Sequence, residues 1–186
     1  MKDFSIFEQA LDLAAAARAE DLGRLACITR RDFDERETFI CSTTTASAEY
    51  VSLMIENALL LRTNRGGRVY AGFEQLSALQ PIIDRYLRIA DVSESLYLFG
   101  QPDWQPPRHP NVRVISLRPD LRLAHERFVI AQSSTFNCAF VAVVKDQSIE
   151  SVGGLLQYLA VKTSNRKLVD QLAMVSEDVI DWSLAA

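Results

Sequence analysis

The chain is poor in the residues on which catalysis most often depends. Its 186 residues include two histidines, His109 and His125, and three cysteines, Cys27, Cys41 and Cys138. Neither histidine has a second ligand at the spacing used by zinc or iron, and the carboxylates are scattered, so no metal site is expected. The cysteines are odd in number and none forms a C-x-x-C pair. That excludes a disulfide framework and predicts reduced, buried thiols. Cys27 and Cys138 lie in apolar, strand-like runs, where a thiol is a small hydrophobe and not a low-pKa nucleophile. The G-x-S-x-G elbow is absent. No catalytic residue is assigned.

Glycine is sparse as well. Neither G-x-G-x-x-G nor G-x-x-x-x-G-K-[ST] occurs, and the glycine pairs are Gly66-Gly67 and Gly153-Gly154. Arg62, Arg65 and Arg68 surround the first pair, but that segment follows a helix, whereas phosphates favour helix N-termini. It reads as a helix C-cap with cations that complement the dipole. A basic surplus is missing too: the formal net charge is −4. Nucleic-acid and anionic-membrane binding are therefore disfavoured. No apolar run is long enough to span a bilayer, and Gln9 and Asp12 interrupt the apolar start, so neither a membrane helix nor a signal peptide is expected. The expected location is the cytoplasm.

What is present suits one globular domain over residues 1–186, with 48% hydrophobic and 24% charged residues. Ser5 and Glu8 have capping-box spacing, and Phe4, Phe7, Leu11 and Ala14 follow at helical intervals, which predicts a helix over 5–19 closed by Gly23. Leu25 to Thr29 leans towards strand, and Arg30 to Glu37 reads as a solvated loop of alternating charge. Phe39 to Ser42 suggests a strand. Thr43 to Thr45 then open a helix over about 46–62, with Val51, Ile55, Ala58 and Leu59 on its apolar stripe. Strand Arg68 to Phe73, a helix with Pro81 in its first turn, and strand Ser95 to Gly100 form a βαβ unit with parallel strands.

Four of the six prolines fall between Gln101 and Pro110, a semi-rigid loop. Beyond it, Asn111 to Leu117, Arg127 to Ser133, Asn137 to Asp146 and Leu155 to Thr163 are β-rich runs with short gaps. Short gaps predict antiparallel pairing, with a turn at Ser133 to Thr135 and with Gly153-Gly154 opening the last run. A closing amphipathic helix is predicted over 165–182. The fold class is α/β with mixed (α+β) character: a single mixed sheet, parallel in its first part and antiparallel in its second, flanked by helices.

Two constellations stand out. Asp84, Arg85, Tyr86 and Arg88 share the helix after Pro81. Asp84 and Arg88 are spaced for a surface ion pair, while Arg85 and Tyr86 face either the core or a ligand. Trp104 in the proline-rich loop is either a lid on the core or part of a binding surface, because ligands of open α/β sheets favour the carboxyl ends of parallel strands. A pocket is expected near Phe73, Tyr86 and Trp104. An enzyme would need His125, Glu126, Glu74 and Arg85 to converge in one cleft.

Several segments together resemble the DICT domain, a sensory domain named for its occurrence with diguanylate cyclases and two-component proteins. They are VYAGFEQLS (Val69 to Ser77), IIDRYLRIA (Ile82 to Ala90), LYLFGQPD (Leu96 to Asp103), LAHERFVI (Leu123 to Ile130), AFVAVVKD (Ala139 to Asp146) and LAVKTSNRKLVDQL (Leu159 to Leu172). The resemblance covers about residues 69–172. Where the family commonly has tryptophan after the glutamate of the middle strand, this chain has Arg127-Phe128, which leaves the role of that aromatic open.

The resemblance implies a non-catalytic sensory or regulatory module of bacterial signal transduction, with light or redox input suggested in photosynthetic, cyanobacteria-like settings. Ligand or partner contacts are expected among Phe73, Arg85, Tyr86, Trp104, Glu126 and Phe128. No cofactor is called for; a flavin is a subordinate version of the sensor. Since the chain stops at 186 residues with no output domain, the expected partner is a signalling protein in trans: a histidine kinase, a response regulator or a cyclic-dinucleotide enzyme. A homodimer through the first and last helices is also expected, since Ala14 to Ala17 permit close approach. The alternatives are an adaptor in a larger complex and a small enzyme.

Overall fold

The computed structural model describes residues 2–61, 66–145 and 157–185. Its helices are α1 (Ile6–Ala16), α2 (Arg30–Glu35), α3 (Thr45–Leu60), α4 (Ile83–Val92) and α5 (Arg166–Ala185). Its strands are β1 (Glu20–Arg24), β2 (Thr38–Thr44), β3 (Arg68–Gln75), β4 (Ser95–Gln101), β5 (Val112–Ser116), β6 (Glu126–Gln132), β7 (Asn137–Val144) and β8 (Gln157–Thr163). They form one eight-stranded mixed sheet in the order β1-β2-β8-β7-β6-β3-β4-β5.

The pairings fix the strand directions. β1 and β2 are parallel, as are β3 with β4 and β4 with β5. β8 is antiparallel to β2 and β7, and β6 to β7 and β3. Six strands therefore run one way, and β6 and β8 run against them. Two parallel wings flank an antiparallel centre. α3 links the wings, leaving β2, crossing β8, β7 and β6 on one face, and delivering the chain to β3. α3 and α4 cover that face around Phe39, Leu98 and Phe140, while α1 and α5 cover the other around Tyr70, Phe99 and Ile130.

α1 begins as its pattern predicts: the Ser5 hydroxyl accepts from the Glu8 N–H at 2.9 Å. The Glu8 carboxylate, however, reaches Arg122 at 2.6 Å. The helix closes at Ala17, with Arg18 in the left-handed region (φ 56°), and Gly23 lies further on, within β1. The last helix starts after Asn165, whose side-chain oxygen accepts from Lys167 N at 3.1 Å. Ser133 makes the β6–β7 turn, taking the Phe136 N–H at 2.9 Å.

Several expectations are corrected. Leu25–Cys27 is a short 3-10 turn; the strand of this region is the preceding β1, which is too polar and exposed to show alternation. Arg30 to Glu37 is not a loop throughout, because it contains α2. Thr29 caps α2 by accepting from Asp32 N, and Arg30–Asp34 and Arg31–Glu35 pair along it. The buried Lys162 ammonium donates to the carbonyls of Phe33 (3.1 Å) and Arg36 (3.0 Å) and closes the helix end.

Pro81 belongs to a 3-10 turn over Leu76–Ile82 that precedes α4. α3 is closed by Leu61 in helical geometry; Gly66 and Gly67 come later, and the cap expected from Arg62 to Arg65 lies outside the described residues. Gly67 has φ 89°, and a Cβ there would meet the Gln132 carbonyl at 2.3 Å. Gly153-Gly154 also falls outside the described residues. Cys27 is exposed, while burial pushes the thiols of Cys41 and Cys138 up to about 12 and about 11.

β5 is parallel to β4 and not antiparallel to a neighbour. The return connection is the ten proline-rich residues between Gln101 and Val112. An extended proline-rich segment covers about 3.1 Å per residue, so ten residues reach roughly 31 Å. The length of a five-residue strand is about 17 Å. No helix is needed to make the crossover.

Candidate functional site

The carboxyl ends of the six co-directional strands share one side of the sheet with the start of β6. There, above the end of β3, the first half of α3 and the start of α4 bound a cleft of about 460 Å³. Its lining includes Ser52, Glu56, Phe73, Arg85, Tyr86 and Arg127. α3 carries Ser52 and Glu56 one turn apart, and α4 supplies Arg85 and Tyr86 from its first turns.

Glu56 is the organising residue. It is 2% exposed, on a helix otherwise buried through Ala48, Val51 and Ile55. One carboxylate oxygen accepts from the Tyr86 hydroxyl at 2.7 Å, and the other accepts from Arg85 Nη1 at 2.7 Å. A buried charge persists only when paired in this way. Burial first, then the Glu56 charge, pushes the Tyr86 phenol well above its ordinary range, so Tyr86 remains a neutral donor. The Phe73 ring meets the Tyr86 ring edge-on, with centroids 5.6 Å apart. At the rim, Arg127 Nη2 approaches Glu49 at 3.3 Å.

Phe128 borders the cleft from the next strand, but its ring turns to the other face of the sheet, where it packs on Phe99 with centroids 5.5 Å apart. Its ring lies over Gly72, where a Cβ would stand 2.1 Å from a ring carbon, so the glycine makes room for the aromatic. Phe73, Arg85 and Tyr86 are thus brought together, while the side chain of Phe128, expected among the contacts, belongs to the core under α1 and α5 because strand alternation turns it away from the cleft. Arg85 turns to Glu56 on the neighbouring helix, and no ion pair joins Asp84 to Arg88 among the described residues.

Trp104 and Glu126 lie elsewhere. Trp104 belongs to a second cleft, of about 850 Å³, formed by the proline-rich loop against β5. The loop is tied down at several points. Asp103 accepts from Ser77 N at 2.9 Å; hydrogen bonding from the Ser77 side chain first, and from its N–H after that, holds the Asp103 carboxyl below the usual range. Asn111 donates to the carbonyls of Ala90 and Ser93. The Asn111 N–H also donates to His109 Nδ1, leaving the Nε2 proton to face Asp91 at 3.1 Å. Glu126 sits under α1, where its carboxylate accepts from Phe7 N at 2.9 Å. Burial raises its pKa from the ordinary value, an effect offset in part by hydrogen bonds from the start of α1.

Glu56, Glu49 and Arg127 are absent from the candidates that the sequence suggests. Glu56 left one trace, a charge flanked by Ile55 and Ala58 on the apolar stripe of α3. Arg127 left none, because a lone charge near the start of a largely apolar strand marks no period.

The cleft offers binding groups and no reacting pair. The Glu56 carboxylate already holds two donors, and Tyr86 keeps its proton. His125 lies 3.8 Å from Glu74 in an exposed pair, while Arg85 is in the cleft and Glu126 under α1, so the four residues an enzyme would need do not converge. Among the described residues no three histidine, cysteine or acidic side chains form a metal-ligating group.

No curated protein sequence matches the chain. Among solved structures, TrmBL2, an archaeal chromatin protein whose structure shows a novel mode of DNA binding, is similar with a TM-score of 0.50 at 11% identity. That match covers 94% of this chain, which spans 58% of the TrmBL2 chain, and it concerns the fold alone. A phospholipase D family member, Nuc from Salmonella typhimurium, has a TM-score of 0.41 at 10% identity, covering 78% of this chain and 95% of its own. The profile of the DICT domain, the sensory domain in diguanylate cyclases and two-component systems, matches residues 40–145. That match begins earlier than the resemblance at Val69 and leaves the segment Leu159 to Leu172 outside it. It takes in α3, β3, α4 and every residue named in the cleft, and on that match, over more than half its length, the chain belongs to the DICT family of sensory domains.

Proposed function

We propose that the chain is a non-catalytic sensor that holds a small organic ligand in the cleft between α3 and α4 and reports its presence to a signalling protein. The observation that carries this reading is the Glu56 carboxylate, 2% exposed and gripped by Arg85 and Tyr86. A core needs no such charge, since an apolar side chain of similar volume serves stability as well or better. Beside a cleft, the same network aims the remaining guanidinium donors of Arg85 at an occupant. Phe73, Leu53 and Ile82 offer apolar walls, and Arg127 supplies a second cation at the rim. The lining suits a ligand with a flat apolar body and an anionic or acceptor group.

Because Glu56 couples α3 to α4, a ligand that draws Arg85 away shifts the contact between the two helices. This is the change a partner in trans (a histidine kinase, a response regulator or a cyclic-dinucleotide enzyme) would read. No described helix is long and apolar enough to cross a membrane; the reading places the sensor in the cytoplasm. Dimerisation through α1 and α5 fits the same scheme, with Met174 at 61% and Trp182 at 38% exposure on α5.

The test is native mass spectrometry of protein purified from its own host, beside a variant with Ala78→Trp, which fills the cleft mouth at an exposed position. A bound small molecule present in the wild type and lost from the variant supports the reading. Protein free of ligand in both, or a ligand retained equally by both, overturns it. An absorption spectrum of the same samples decides the flavin version: a flavin band supports it, and none removes it.

A further inference from the structure

The two edges of the sheet differ in how they meet solvent. β1, Glu-Asp-Leu-Gly-Arg, is charged, carries Gly23 at φ 73°, and has an irregular register between Asp21 and Arg24. Charge and irregularity both discourage a further strand. β5, Val-Arg-Val-Ile-Ser, pairs in unbroken register with β4 from Val112 to Ser116. Leu96 N–H donates to the Asn111 carbonyl, and Leu117 N–H donates to the Gly100 carbonyl. The odd-numbered residues therefore face β4, and the main-chain groups of Val114 and Ser116 point away from the sheet. Val114 is 41% exposed.

A trough of about 850 Å³ runs beside that open edge. Val112, Val114 and Ser116, on one face of the strand, form one wall; Trp104, Pro106 and neighbouring loop residues form the other. The loop is anchored through Asp103, His109 and Asn111, so the trough exists before anything enters it and little ordering opposes binding. Arg108 is exposed at its rim, and Arg113, alternating with Val112 and Val114, is exposed on the opposite face of β5; among the described residues neither pairs with a carboxylate. Arg113 donates to the carbonyls of Pro110 and Val112.

We propose that β5 accepts an extended segment of a partner protein as a further strand, its alternate apolar side chains seated in the tryptophan–proline trough, its acidic residues on the opposite face beside Arg113, and an acidic residue at its end beside Arg108 at the trough rim. Main-chain bonds to Val114 and Ser116 supply affinity, and the trough selects the side chains. The charge disfavours a second copy of this chain, because antiparallel pairing of two β5 strands brings the arginines of both copies together. The inference concerns the output surface and stands apart from the ligand reading of the α3–α4 cleft.

The probe is the blocked peptide Asp-Val-Glu-Val-Asp-Val-Glu-Val, titrated calorimetrically into the full chain, beside the same peptide with lysine in place of each acid. The acidic peptide is expected to bind and the lysine peptide not to. Val114→Pro removes an outward N–H at an edge position that tolerates proline. It should weaken binding by about tenfold or more, the worth of one or two such bonds. If that variant fails to fold by circular dichroism, Val114→Lys serves instead. Arg108→Glu with Arg113→Glu should invert the preference between the peptides. Failure of the acidic peptide to bind, or binding unchanged in the Val114 variant, overturns the proposal. So does a wild-type dimer, seen by sedimentation, that the Val114 variant dissolves, since it assigns the edge to a second copy.

Discussion

Two carboxylates lie buried on opposite faces of this sheet, Glu126 beneath α1 and Glu56 beneath α4, each 2% exposed. Glu126 accepts from main-chain N–H groups at the start of a helix, which is a capping arrangement. Glu56 accepts from two side chains, Arg85 and Tyr86, beside an open cleft. Burial of an acid therefore does not mark a site by itself. What distinguishes the two is whether the partners belong to the backbone or to side chains that a ligand can reach.

The comparison breaks most sharply at Glu56. Glu56→Ala strands Arg85 and leaves the Tyr86 hydroxyl without its acceptor, and removing one member of a buried pair costs about 3 kcal/mol or more. Urea unfolding should show that loss, and a loss under 1 kcal/mol would remove Glu56 as the link between α3 and α4. Tyr86→Phe takes away a single bond to a charged acceptor and should cost about 2 kcal/mol by the same measurement. Glu126→Ala should cost about 1 kcal/mol, the usual worth of a helix cap, with amide protection lost at the start of α1 and not in the cleft.

The smallest effect is on pH dependence. Folding raises the Glu126 pKa above its ordinary 4.5, so the folded state keeps the proton longer than the unfolded chain does. The stability tied to this proton is complete below 4.5 and is lost as pH rises through the folded value. Urea midpoints measured across that window should fall with rising pH in the wild type and fall less in Glu126→Gln. An identical slope in both would sink this account.

Much of the fold was legible along the chain. The Ser5 cap, the near-continuous apolar runs of β3, β4, β6 and β7, the stripe of α3 and the βαβ handover through α4 all follow from local pattern. β1 and α2 were not legible, because neither carries an apolar period and each is completed by contacts from elsewhere in the chain. β1 is held by β2, and α2 is closed by Lys162, which burial in turn makes a weaker base than an ordinary lysine. The direction of β5 was misjudged because a proline-rich segment is extended enough to return the chain without a helix. Of the cleft, Phe73, Arg85 and Tyr86 were within reach of the sequence; Phe128 was misplaced, since its ring faces the core under α1 and α5. Glu56 and Arg127 were not, since a polar partner from a distant element leaves no period.

By itself the sequence determined the family, the set of periodic elements and the scarcity of reacting groups. Hydrophobic periodicity records which face of each segment is buried, and that record is local. Only the tertiary structure decided which strands became edges, which way β5 runs, and which of two buried acids meets a cleft. Those outcomes depend on contacts between residues far apart in the chain, whose energies are realised only once the sheet has assembled.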